Sequence, residues 1–169
     1  MRTCLQRFPV LVIPTVLAAV LYEEALIPVL PLAAELEYEP DVILVMKDQA
    51  FHVVKGEAPG RDSQHPGFYL VAGGDIILMV RNEDRVAHEF VSPLFHQVEF
   101  RFSGEATLVY THTATGVRVD PGESVTLRFD LPDGSADLFS FWCNVHGKLH
   151  GDRMRGEIFV LEPKKETSH

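Results

Sequence analysis

The sequence predicts an all-β protein: an antiparallel sandwich or barrel carried behind an apolar N-terminal leader. Three observations point there. From Asp41 onward, short apolar or alternating runs are separated by turn signals, the pattern of strands in a sandwich or barrel. Eleven Phe and eleven Pro accompany few long helical patterns, and aromatic residues favour pleated, half-buried surfaces. The length of 169 residues suits one domain with an extension and allows a substantial core.

The leader, MRTCLQRFPVLVIPTVLAAVLYEEA, places Arg2 and Arg7 before an apolar run from Phe8 to Tyr22. A basic start followed by such a run reads as a secretory signal. Ala18-Ala19 and Ala33-Ala34 are the candidate cleavage sites. If the leader stays uncleaved, residues 8–30 become the membrane attachment, with the arginines on the cytoplasmic side, although the run is short for a full span. Residues 1–34 are thus assigned as a signal peptide or N-terminal membrane anchor. Residues 41–162 are expected to form the folded domain, in the periplasm or another extracytoplasmic space.

Within the body, DVILVM (Asp41 to Met46) is the first strand. GEAPGRDSQHPG, Gly56 to Gly67, is a loop rich in Gly, Pro and polar residues. FYLVAGGDIILMVRN holds two strands about Gly73-Gly74, and HEFV (His88 to Val91) a short one. Leu94 to Gly116 is less regular; it reads as an insertion holding a hairpin or short helices, flanking or covering the region of His88. Asp120-Pro121-Gly122 makes a turn before the alternating strand Ser124 to Leu131. LFSFWC and GEIFVLE supply the last strands, and the tail KKETSH frays. No internal repeat and no nucleotide-binding glycine pattern occurs.

The net formal charge of −9 argues against nucleic acid or an anionic membrane face as the principal partner. The cysteines are Cys4 and Cys143. Cys4 belongs to the leader, so Cys143 has no partner for a disulfide in the body.

The stretch FWCNVHGKLHGDRMRG, Phe141 to Gly156, gathers Cys143, His146, His150 and Met154. Thiolate, imidazole and thioether donors suit copper, and a trigonal His₂Cys set with a weak axial Met is the blue-copper arrangement. Zinc prefers four strong ligands and rarely takes Met. His88, in VRNEDRVAHEFV, is the candidate for an imidazole from elsewhere in the fold. Each residue alone has a plainer reading, Cys143 as a core thiol and a loop His as a solvated side chain. His52, His65, His96 and His112 are read as solvated, and Met46, Met79 and Trp142 as core or as the shell of the site. The joint pattern is what points to a metal.

Asn82, five residues, then His88, followed by Cys143-x-x-His146 and the ending Met154-x-Gly156-x-Ile158-x-Val160, resembles the cupredoxin family. The Pro121-Gly122-Glu123 turn and the aromatic strand entering Cys143 resemble it too, and the likeness covers Asp41 to Leu161. It implies a Greek-key β-sandwich holding one type 1 copper ion for electron transfer, met transiently by a redox partner protein. By the family pattern His88 is an imidazole ligand, Cys143 the thiolate and Met154 the axial sulfur. The second imidazole is open. Plastocyanin-like Cys-x2-His spacing selects His146; azurin-like His-x3-Met spacing selects His150. The loop is longer than either pattern. His146 is preferred, because a long loop can deliver a weak axial ligand loosely but must not misplace a strong one. A set of His88, Cys143, His146 and His150 together would resemble the rarer non-blue cupredoxins. Glu89 stands where many members carry Asn.

No acid–base pair or nucleophile–base motif appears, so no enzymatic activity is expected of the chain by itself, although it could be a subunit or fragment of a larger oxidase. Copper storage, delivery or sensing is the alternative function. With four Met, the chain lacks the methionine-rich tracts that would favour it.

Overall fold

A computed structural model describes residues 38–56, 65–146 and 154–164, all within a compact unit spanning Glu37–His169. The expected leader, residues 1–34, and His150 lie outside the described residues, as do most of the 56–67 loop and the 165–169 tail. No helix among the described residues is long and apolar enough to cross a membrane.

The described residues form an all-β Greek-key sandwich of two sheets. Its strands are β1 (Val42–Lys47), β2 (Ala50–Lys55), β3 (Gly67–Val71), β4 (Gly74–Asn82), β5 (His88–Ser92), β6 (Phe100–Gly104), β7 (Thr107–Tyr110), β8 (Thr115–Val119), β9 (Ser124–Leu131), β10 (Asp137–Trp142) and β11 (Arg155–Leu161). One sheet has the order β2-β1-β4-β9-β6, the other β3-β11-β10-β5-β8-β7. The chain repeatedly changes sheet, so residues far apart in sequence meet at strand ends. Pairing is mainly antiparallel, with β1–β4 and β3–β11 parallel.

Strand periodicity explains the core. β9 reads SVTLRFDL, and its Val125, Leu127, Phe129 and Leu131 are buried while Arg128 and Asp130 are exposed. Alternate residues of a strand face opposite sides, so one face of β9 closes the sandwich and the other meets water. Aromatic rings fill the layer between the sheets: Phe141 lies 5.0 Å from Phe51 and 5.3 Å from Phe90, centroid to centroid. Such edge-on and tilted contacts add stability beyond area burial. Gly116 permits β5 and β8 to approach closely, since a Cβ there would lie 1.9 Å from the Phe90 carbonyl oxygen.

The two turns read from glycine are present. Gly73 and Gly122 both adopt positive φ, 79° and 80°, and Glu123 N–H closes the second turn on Asp120 O at 3.1 Å. The stretch from Leu94 to Gly116 is more ordered than its irregular pattern suggests. A 3-10 turn, Pro93–His96, buries Leu94 and Phe95; β6 then joins β9 in one sheet, and β7 joins β8 in the other. The stretch therefore edges both sheets. The 3-10 turn follows Ser92, the end of β5 remote from His88. The Gly104–Thr107 connection is at the opposite end, because Gly104 pairs with Val125 and Thr107 with Arg118, while His88 pairs with the adjoining Val119.

Candidate metal centre

The end of the sandwich where β4 leaves and β5 begins holds the site. β4 closes on Asn82, whose side chain is fully buried. Its amide donates to Val86 O at 2.8 Å and Val119 O at 3.0 Å, and its oxygen accepts from Asp84 N–H at 3.0 Å. One side chain thus shapes the 82–88 loop and sets where β5 starts. His88, the first residue of β5, is 0% exposed. Its Nε2 lies 2.7 Å from Asp84 Oδ2, which directs Nδ1 into the site.

Asp84 binds more than His88. Its carboxylate also accepts the backbone N–H groups of Asp48 at 2.8 Å and Gln49 at 3.0 Å. Those two residues form the β1–β2 turn, with φ of 53° and 54°. This is the left-handed conformation a two-residue hairpin favours and that glycine or asparagine usually supplies. Aspartate tolerates it too, whereas at Gln49 it costs roughly 1–3 kcal/mol, which the bonds to Asp84 offset. Burial opposes the charge on Asp84, but the hydrogen bonds from Gln49, His88 and Asp48 prevail and hold its pKa below the ordinary 3.8.

Cys143 follows β10 directly. Its N–H donates to Met154 O at 3.0 Å, which extends the β10–β11 ladder by one bond and fixes Met154 opposite the thiol. Cys143 and Met154 are buried, at 0% and 1% exposed, in the same apolar cluster. Glu89 N–H points at Cys143 Sγ over 3.3 Å. Burial pushes the thiol pKa up; backbone amides of Glu89, His146 and Val145 pull it down, and the Glu89 charge adds to the rise. A metal must therefore displace a proton from Cys143 to bind it. His146 comes in the turn after β10 and is half-buried.

The three side chains converge. Cys143 Sγ is 3.9 Å from His88 Nδ1 and 3.8 Å from His146 Nδ1; the three donor atoms lie within 4.8 Å of one another. The imidazole rings are 4.6 Å apart, inclined at 55°. Bonds of about 2.3 Å to sulfur and 2.0 Å to nitrogen, meeting near 120°, would separate sulfur from nitrogen by about 3.7 Å. The two observed sulfur–nitrogen spacings match such a set, and the donors are those of a His₂Cys copper site. The residues present fit the ion.

Of the residues expected from sequence, the fold brings His88, Cys143 and His146 together and sets Met154 beside Cys143 through the backbone. Of the histidines read as solvated, His52, His96 and His112 are exposed and His65 is half-buried; His96 stacks on Tyr110 at 5.3 Å. Met46 is fully buried, while Met79 and Trp142 are half-buried. Sequence reasoning passed over Asp84 and Asn144. Asn144 Nδ2 donates to Glu89 Oε2 at 2.8 Å, and Trp142 Nε1 donates to Asn144 Oδ1 at 2.8 Å. These bonds join Glu89, the residue after His88, to Asn144, the residue after Cys143. The available signal for Asp84 was its place between Asn82 and His88, four residues before the latter.

Solved structures similar to this chain include multicopper oxidases and an amicyanin. A multicopper oxidase from Campylobacter jejuni is 15% identical, with a TM-score of 0.46 over 75% of this chain and 31% of its own. A multicopper oxidase from the hyperthermophile Aquifex aeolicus is 18% identical, with a TM-score of 0.43 over 70% of this chain and 28% of its own. A mutant amicyanin in its Cu(I) form is 12% identical, with a TM-score of 0.41 over 73% of this chain and 85% of its own. The chain thus spans less than a third of either oxidase. No protein-family profile matches it, and no curated protein does.

Proposed function

We propose that this chain is an exported, single-copper electron-transfer protein with a type 1 site formed by His88, Cys143, His146 and an axial Met154. The observation that carries the reading is the convergence of one thiol and two imidazole Nδ1 atoms at the end of a β-sandwich, at 3.8 and 3.9 Å. Copper, when bound, supplies a one-electron couple.

The protein's own residues suit that use. His88 and Cys143 are withdrawn from water, so solvent does not compete for the donors. Asp84 and the Glu89 amide hold the ring and the sulfur where they are, so little rearrangement is required between the two oxidation states. Half-buried His146 marks the edge through which a transient redox partner would couple to the site.

The test is to load the metal-free protein with Cu(II) and record metal content, visible absorption and a voltammogram. The expected result is one ion per chain, an intense blue colour and a reversible one-electron wave. Copper bound without colour or reversible chemistry would instead favour storage or delivery.

A further inference from the structure

A carboxylate stands behind His88, and a second, that of Glu89, is tied to the residue after Cys143. Asp84 Oδ2 is 2.7 Å from His88 Nε2, on the side of the ring away from the donor Nδ1. Glu89 directs its backbone N–H at Cys143 Sγ, and its side chain is latched by Asn144, the residue after the thiol. From the placement of these two carboxylates we propose that Asp84 and Glu89 are the potential-setting residues of the site and bias it toward the oxidised state, making this a low-potential copper centre. The inference rests on the copper reading above.

The physical reason is charge. The oxidised ion carries one more positive charge than the reduced ion, so a nearby negative charge stabilises it more. Coulomb attraction falls with distance and with local dielectric, and partly buried charges are screened least. Asp84 has a side chain only 16% exposed. Among the ion pairs of the described residues it meets His88 and no lysine or arginine. Its two oxygens also accept the backbone N–H groups of Asp48 and Gln49. Glu89 lies nearer the solvent and its hydrogen bond to Asn144 is exposed, so its effect is the smaller of the two. Asp84 is also a positioning residue. By accepting from Nε2–H it selects the His88 tautomer whose Nδ1 lone pair is available, as carboxylate partners of metal-binding imidazoles do.

The test compares copper-loaded wild type with Asp84→Asn and Glu89→Gln by redox titration, with thermal unfolding of each metal-free protein as a check on folding. Glu89→Gln leaves an amide oxygen for the one hydrogen bond from Asn144. Asp84→Asn keeps an oxygen for His88 and Gln49 and gives up the one that accepts from Asp48. The unfolding check and the charge-retaining Asp84→Glu therefore separate loss of charge from loss of that bond. Both potentials are expected to rise. The shift in Asp84→Asn corresponds to roughly a tenfold change in the oxidised-to-reduced ratio, 59 mV for one electron, and Glu89→Gln shifts less. Asp84→Glu, which keeps the charge, is expected to stay near wild type. In the metal-free wild type, nitrogen NMR of His88 should show the Nε2–H tautomer.

Blue, folded Asp84→Asn and Glu89→Gln proteins at the wild-type potential would overturn the proposal, even with the copper assignment intact. A wild-type potential in Glu89→Gln alone overturns the part given to Glu89, whether or not Asp84→Asn folds. An Nδ1–H tautomer overturns the positioning role of Asp84. A wild type with no blue copper removes the function reading and this inference together, and shows itself before any variant is made.

Discussion

The two imidazoles are held in different ways. His88 opens a central strand, is fully buried, and is bonded to Asp84, which is itself bonded to the β1–β2 turn. His146 sits in the turn that follows β10 and is half-buried. One arm is part of the sandwich, so its geometry is set when the sheets form. The other is supplied by a loop at the surface. A rigid arm limits rearrangement at the site, whereas a surface arm gives access. The same division separates Cys143, anchored by the ladder bond to Met154 O, from the loop that begins beyond it.

The largest expected effect falls on the residue both arms share. Cys143→Ser should abolish the blue absorption and leave the metal-free fold in place, because a small hydroxyl replaces a small thiol. A serine variant that stays blue would remove the thiolate assignment.

The comparison itself is tested by His88→Ala and His146→Ala. Both should lose the blue site. Only His88→Ala should also destabilise the metal-free protein, by about 2 kcal/mol or more, since it leaves a cavity and takes a partner from Asp84. His146→Ala should lower the unfolding temperature less, because its half-buried ring sits in the turn after β10 and not at the start of a central strand. Equal unfolding temperatures for the two variants would erase the distinction between the arms.

Met154→Leu should retain copper and raise its reduction potential, since losing a weak sulfur donor disfavours the oxidised metal. His150→Ala should stay blue with a modest spectral change. A colourless His150→Ala beside a blue His146→Ala would give the second imidazole to His150 instead.

The smallest effect concerns acid. The folded-state pKa of Asp84 is held below its ordinary value, by hydrogen bonds that outweigh its burial. Its contribution to stability is therefore complete above the unfolded-state value near 4 and is lost as pH falls through the lower folded-state value. Chemical unfolding of metal-free wild type and Asp84→Asn should show a difference that narrows below about pH 4. A difference that widens there would contradict the sign.

These contrasts also explain what the sequence could disclose. Cys143, His146 and the β9 alternation are local patterns, legible because ligand spacing and strand period are written in consecutive residues. β2 was not, since its turn is Asp48-Gln49 with no glycine and is stabilised by Asp84, 36 positions later. β6 and β7 carry exposed or half-buried residues along their lengths and therefore lack the alternation that marks a strand. The Glu89–Asn144 latch spans 55 positions and depends on β5 and β10 lying side by side. Tertiary contacts of this kind leave no periodic trace.

The most direct test of the centre is an electron paramagnetic resonance spectrum of the Cu(II)-loaded wild-type protein, taken with its visible absorption. Coordination by Cys143, His88 and His146 predicts the narrow copper hyperfine splitting of a highly covalent copper–thiolate bond, together with intense blue absorption. A wide splitting of ordinary tetragonal copper, with only weak absorption, would contradict it.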